Sequence, residues 1–243
     1  MKILFIAPSA YILGGTTTWL DYLLAGLVEL GFRITLGLTS GRFHDIDAYL
    51  RSHPFASVVR IDAPTGTREG RVRSLMGVIA REAPDLVVVV NLVDVYEAVA
   101  RLRHERQQDI RVVATLHGLQ ADFLQDFARL SAHLDAVICT NRLAQALVRE
   151  RCGLAPQRVL YAPYGVQLPS LPRVTLPASD APLRLAYVGR LESQQKRIYD
   201  LPAILAAAAQ AGIKVTLDIA GTGPEEDGLR RALVAAKVDH RVT

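Results

Sequence analysis

The 243-residue chain carries 28 Lys and Arg against 24 Asp and Glu, a formal charge of +4, and half of its residues are hydrophobic. This is the balance of a folded globular protein with a sizeable core. Aromatics at 6% with no aromatic-basic interleaving argue against a nucleic-acid partner, and two cysteines, Cys139 and Cys152, are too few for a disulfide framework and have no metal-ligand spacing.

The first run, "KILFIAP", has one Lys before a short apolar stretch, but its alternation and the early Pro8 make it a buried strand rather than a signal peptide. The loop "PSAYILGGTTTW" then turns through Gly14 and Gly15 into a helix on which Leu20, Leu23, Leu24, Leu27 and Val28 recur at helical spacing. Thr16 and Thr17 are candidate caps at its start, and Gly31 stands where it would stop. Strands "RITLGLT", "SVVRID", "DLVVVVN", "RVVATLH", "DAVICT" and "RVLYAP" follow, with helices expected over about 68–82, 93–106, 123–134 and 142–151. Strands alternating with helical segments predict an α/β fold with a parallel sheet. The arginine clusters "TREGRVR" and "RLRHER" fall on two of these helices, where a solvated face is the commonest use; phosphate or an acidic lipid surface would also meet them.

Composition changes at "YGVQLPSLPRVTLPASDAP", rich in proline, serine and other loop formers, which reads as a linker over 167–181 between domains 1–166 and 182–243. Beyond it the pattern restarts: strand "LRLAYVG", helix "DLPAILAAAAQAG", strand "KVTLDIAG", helix "PEEDGLRRALVAAK", and "HRVT" as the opening of a third strand. Two and a half strands are few for such a sheet, so the second domain is expected to be the first half of one. No run reaches the roughly 18 apolar residues of a membrane span, and the cysteine usage fits a reducing, cytoplasmic compartment.

Four places carry chemistry. Gly14 and Gly15 would let backbone amides at a helix N-terminus approach an anion, although a Gly-Gly turn is often structural. The loop lacks G-x-G-x-x-G, and the second strand ends "LGLTSG" without an acidic residue, which argues against a nicotinamide dehydrogenase. His117 closes a strand at its carboxyl end, where it could bond a sugar hydroxyl, titrate near neutrality, or simply satisfy strand-end carbonyls. In "YVGRLESQQKR", Gly189 leads to Arg190 and Lys196: a planar fork and a mobile point charge that together suit a diphosphate, with a solvated loop as the alternative. In "IAGTGPEEDGLRRAL", Gly221 and Gly223 would admit a base or ribose or serve turn geometry alone, and Pro224 stands at a helix start.

Together, "GGTTTWLDYLLAGLVELGFRITLGLT", "TLHG", "YVGRLESQQKRIYDLPAILAAA" and "LDIAGTGPEEDGLRRAL" resemble the retaining glycosyltransferases of family four. The resemblance implies a GT-B fold, with an N-terminal Rossmann-like domain and, here, the first half of a second one. It implies a nucleotide-sugar donor, a glycan or lipid-linked acceptor, no divalent metal and no other cofactor, and leaves room for peripheral contact at the inner membrane face. It places Gly15 at the donor phosphate, His117 beside the donor sugar, Arg190 and Lys196 on the diphosphate, and Gly221, Gly223 and Pro224 near the nucleotide. Two departures stand out: "YGVQ", Tyr164 to Gln167, replaces an Asn-Gly-Val-Asp-like hinge, and the family's Glu-x7-Glu element would lie beyond Thr243. A nucleotide-sugar epimerase of the same fold and a non-catalytic binding remnant are the competing expectations.

Overall fold

In the computed structural model the chain is described over residues 1–10, 14–41, 45–119, 121–166, 170 and 181–242. It divides into two compact units, Met1–Pro169 and Ser170–Thr243. In the first, β1 (Lys2–Pro8), α1 (Gly15–Glu29), β2 (Arg33–Thr39), α2 (Ile46–Ser52), β3 (Val58–Ile61), α3 (Arg68–Glu82), β4 (Leu86–Val90), α4 (Asp94–Arg106), β5 (Arg111–Leu116), α5 (Ala121–Leu130), β6 (Ala136–Cys139), α6 (Arg142–Arg151) and β7 (Val159–Tyr161) follow one another.

The seven strands pair in the order β3-β2-β1-β4-β5-β6-β7, every pair parallel. Parallel neighbours need a crossover helix between them, so both faces of the sheet are covered and its strands are apolar throughout. In β1 the alternation sorts the two layers. Ile3 and Phe5 pack with Trp19, Leu20 and Leu24 of α1 and Tyr49 of α2, whereas Leu4 and Ile6 join Val72, Ile79, Val99, Phe127 and Val148 from α3 to α6. Because the chain runs outward from β1 to β3 and then returns to β4 beside β1, the loops that follow these two strands part in opposite directions. In open α/β sheets, such a switch point at the strands' carboxyl ends is where ligands bind.

Helix starts and stops follow local chemistry. Thr67 caps α3 and Asn141 caps α6, their side chains accepting from the amides of Gly70 and Ala144. Gly31, at φ +84°, closes α1 as its amide donates to Val28 and that of Phe32 donates to Leu27. The seven expected strands and the helices over 68–82 and 142–151 are present. The structure differs in three places. Helix α2 was not foreseen; Asp45 caps it by accepting from the Ala48 amide, and Ile46 and Tyr49 are its buried face. α5 ends at Leu130 and a 3-10 turn, Ser131–His133, follows, because buried Leu134 already belongs to the approach to β6. Finally, α1 begins at Gly15 with Gly14 as its N-cap, so Thr16 and Thr17 lie inside the first turn, and the Thr18 hydroxyl donates back to the Gly14 carbonyl.

The arginine clusters form an ion-paired outer face on α3 and α4: Arg68 and Arg71 meet Asp94, Arg68 also meets Glu97, and Arg101 bridges Glu69 and Glu97. Most of the linker expected over 167–181 lies outside the described residues.

The second unit holds β8 (Leu183–Val188), the single turn α7 (Ser193–Lys196), α8 (Asp200–Gln210), β9 (Val215–Ala220) and α9 (Glu226–Ala235). β8 and β9 pair in parallel, and a lone bridge from Leu217 to Val242 starts the third line of pairing expected at "HRVT". Leu191, Ile198, Leu205, Leu217, Leu229 and Leu233 form its core.

In β2, a Cβ placed on Gly37 would stand 2.9 Å from Ile61 Cδ1 and 3.3 Å from the Phe5 carbonyl oxygen. Gly37→Ala is expected to cost about 1–3 kcal/mol by overpacking between two strands. Urea denaturation should show a lower midpoint with an unchanged slope.

Candidate functional site

His117 lies one residue past β5, at the edge where the strand ends converge. Its two ring nitrogens are both engaged: Nε2 stands 2.9 Å from Thr115 Oγ1 and Nδ1 stands 2.8 Å from the Tyr164 hydroxyl. The Thr115 hydroxyl donates its one proton to the Val89 carbonyl at 2.9 Å, so toward His117 it can only accept. Nε2 therefore carries the ring proton, and Nδ1 accepts from Tyr164. Trp19 of α1 meets the imidazole edge-on with centroids 4.5 Å apart, and the Tyr164 ring stacks on it at 5.7 Å and 20°. Burial pushes the His117 pKa down to about 4, so the ring is neutral at physiological pH.

The same edge receives the start of α1. Gly14 has φ −179°, a conformation open to any residue, and among the described residues a Cβ on Gly15 would meet nothing within 4 Å. Neither the conformation of Gly14 nor packing around Gly15 demands glycine. Among the described residues nothing fills the space beside Gly15 at this helix N-terminus, and exposed amides there are groups an anion can use.

Gly221 and Gly223 are a different case. A Cβ on Gly221 would fall 1.8 Å from the Gly189 carbonyl oxygen, and one on Gly223 would fall 2.3 Å from the Leu191 carbonyl oxygen. These glycines let the loop after β9 lie against the loop after β8, where Leu191 donates its amide to Thr222 and accepts from that of Glu225. Close backbone packing is thus a sufficient reason for both. Pro224 precedes α9 in a turn, with Glu225 as the N-cap.

That interlocked pair of loops presents the two cations. Arg190 donates to Gln195 Oε1 at 3.1 Å, and its carbonyl accepts from the Tyr187 hydroxyl at 2.7 Å. Lys196 ends α7, exposed. Glu192 caps this turn by accepting from the amides of Gln195 and Lys196, and Ser193 ties it to Glu225 Oε1 at 2.8 Å. The acid cap, the serine tether and the glutamine brace were not singled out in the sequence. Their signal was there in Glu192, three residues ahead of Gln195 at a turn start. Trp19 carried no comparable signal, because its partner is distant in the chain.

Among the described residues, no three His, Cys, Asp or Glu side chains gather as metal ligands would. Cys139 and Cys152 are free and buried, and burial pushes the Cys139 thiol up to about 11, away from a reactive thiolate. No described helix is long and apolar enough to cross a membrane.

Two measurements check this geometry. Gly221→Ala and Gly223→Ala should each disrupt the second unit, seen as lost protection of its amides in hydrogen exchange, whereas Gly15→Ala should leave the melting temperature unchanged or raised. The depressed His117 pKa means that the unfolded chain takes up a proton near 6.5 that the folded chain refuses until about 4. This group therefore costs stability progressively as pH falls from about 6.5 to 4 and has no effect above that window. Denaturant titrations at pH 7 and pH 5 should show a loss that is smaller in His117→Gln.

Several solved structures share the fold across all of the chain. The lipopolysaccharide outer core galactosyltransferase WaaB in its apo form superposes with a TM-score of 0.78 at 19% identity, the match covering 100% of this chain and 67% of that one. A substituted S. aureus TarM in complex with fondaparinux, alpha-GlcNAc-glycerol and UDP gives 0.73 at 8% identity, covering 100% and 76%. A UDP-GlcNAc 2-epimerase from Neisseria meningitidis bound to UDP-GlcNAc gives 0.63 at 11% identity, covering 100% and 71%. At such identities the likeness speaks for the fold, that of GT-B glycosyltransferases. No curated protein sequence matches significantly. The family model described as Glycosyltransferase Family 4 matches residues 13–168, well over half of the sequence, and the chain belongs to that family.

Proposed function

We propose that the protein transfers a sugar from a nucleoside diphosphate sugar to a glycan or lipid-linked acceptor of the cell envelope, with retention of anomeric configuration. The observation that carries this reading is the braced loop holding Arg190 and Lys196 at the end of β8, with Glu192 capping its turn and Gln195 holding the guanidinium. Breaking the bond from the anomeric carbon to the diphosphate leaves negative charge on phosphate oxygens. A guanidinium fork and an ammonium stabilise it best when they are oriented before the reaction. The amides at Gly14 and Gly15 would take a phosphate oxygen, and the reading needs no divalent metal. His117, neutral, would bond a hydroxyl of the donor sugar. The acceptor oxygen would attack from the face the diphosphate leaves, its proton passing to the departing phosphate oxygen.

Two solved relatives of the fold, one holding UDP and one UDP-GlcNAc, support a nucleotide-sugar as donor. We assign the reaction to the cytoplasm, a reading supported by the free thiols Cys139 and Cys152. Contact with the inner membrane face would fall to basic residues other than Arg68, Arg71, Arg73 and Arg101, each of which has a carboxylate partner. A second reading, epimerisation of the donor sugar, is favoured by the shared fold of the Neisseria enzyme. A panel of nucleotide-sugars separates the two: nucleotide release that requires an acceptor supports transfer, a changed nucleotide-sugar supports epimerisation, and binding with neither supports a non-catalytic binding protein.

Arg190→Ala and Lys196→Ala are each expected to lower turnover on the order of a hundredfold or more, the scale of one lost contact to transition-state charge, with unchanged melting. Near-normal turnover in both would remove the diphosphate assignment. His117→Ala should impair transfer more than it impairs calorimetric binding of the free nucleoside diphosphate, because the imidazole is assigned to the sugar.

A further inference from the structure

Both His117 ring nitrogens are occupied within the first unit, so a sugar hydroxyl can bond this ring only by replacing a partner. The two partners are unequal. Thr115 is buried in β5 at 2% exposure and is held from its other side by the Val89 carbonyl. Tyr164 is 40% exposed and stands in the irregular segment after β7, a few residues before the boundary between the units at Pro169. Trp19 closes a further side of the imidazole edge-on. The replaceable contact is the one to Tyr164.

We propose that Tyr164 is a positioning residue for the transfer reaction. With Thr115 it holds His117 as the neutral Nε2–H tautomer, and its hydroxyl occupies Nδ1 until a donor-sugar hydroxyl takes its place. The contact then has a set polarity: Nδ1 is an acceptor, so the sugar must donate, and a sugar position with only an acceptor to offer gains nothing from this ring. The hydroxyl also stands in for the donor in the empty site, leaving no unsatisfied ring nitrogen in a half-buried place, where an unpaired polar atom is costly. This assignment rests on the donor-sugar role given to His117 above. Its first arm is nevertheless independent of any substrate.

That arm is a long-range proton-nitrogen correlation spectrum of the imidazoles at pH 7 in the substrate-free protein. Wild type should show His117 as the Nε2–H tautomer. Tyr164→Phe, a surface change that preserves the stacked ring, should move the Nδ1 resonance toward that of an unbonded nitrogen while Nε2 stays in place. Thr115→Val should raise the population of the Nδ1–H tautomer, since Nε2 then loses its acceptor. An Nδ1–H tautomer in wild type, or an Nδ1 resonance indifferent to Tyr164→Phe, overturns the proposal.

The second arm is kinetic, with UDP-glucose and UDP-N-acetylglucosamine as donor probes. Tyr164→Phe should lower the donor KM by about fivefold, the factor carried by one neutral hydrogen bond, with a smaller change in kcat. The gain should vanish in the His117→Ala background, because the two residues act through one contact. A KM that stays or rises in Tyr164→Phe overturns displacement. Transfer indifferent to His117→Ala, with the spectra as expected, sinks the sugar-binding role instead and leaves the tautomer lock standing.

Discussion

Parallel strands cannot be joined by tight turns, and this constraint organises everything in the first unit. Each of β1 to β6 must hand the chain to a crossover that returns it to the opposite end of the sheet, so all seven strands finish on one edge. The crossovers cover both faces, which is why Leu4 and Val87 on one face and Phe5 and Val90 on the other are all buried. Each such side chain contributes about 1.5–3 kcal/mol by leaving water. The site inherits its position from that arrangement: the loop into α1, the end of β5 and the segment after β7 come from distant parts of the chain. They share an edge because the strands before them run the same way.

Within that frame the glycines divide by what surrounds them. Gly221 and Gly223 are pressed against the backbone of Gly189 and Leu191, so their absent side chains are already filled by protein. Gly14 and Gly15 are under no such pressure from the described residues: a Cβ on Gly14 would make only an ordinary contact with Thr17, and one on Gly15 would meet nothing within 4 Å. The two pairs therefore answer to different demands: Gly221 and Gly223 are required by close backbone packing, whereas packing of the described residues requires neither Gly14 nor Gly15. The packed loop pair matters because it carries the cations: Arg190 leaves it directly, and the turn ending in Lys196 is tied to it through Ser193 and Glu225.

The proposed transfer gives His117 and the cation loop different tasks. A ring whose burial holds its pKa near 4 contributes no positive charge at neutral pH. In the reaction we propose, stabilising a departing diphosphate would therefore fall to Arg190, Lys196 and backbone amides, while the imidazole would supply one directional hydrogen bond. The neutral state is a consequence of burial, and Trp19 and Tyr164 are the rings packed against this imidazole.

The strands and most of the helices were legible in the amino acids because periodicity is local. An apolar run of five residues flanked by polar ones reads the same in any context, and "LVVVV" or "RVVATL" needs no partner to be recognised. The cation pair was visible for the same reason, six residues apart on one loop. Helix α2 escaped because seven residues make too short a window for a period, and its cap, Asp45, is only as common as any loop aspartate. What the tertiary structure alone decided is everything that depends on approach between distant segments. Whether a glycine is needed at 221 depends on where the carbonyl of Gly189 lies. Which nitrogen of His117 holds the proton depends on Val89 and Thr115, and what faces its other nitrogen depends on Tyr164, 47 residues further on. Sequence determines which residues are available to a site, since chemistry belongs to side chains. Their hydrogen-bond polarity, charge state and access follow only from the neighbours that folding brings within 3 Å.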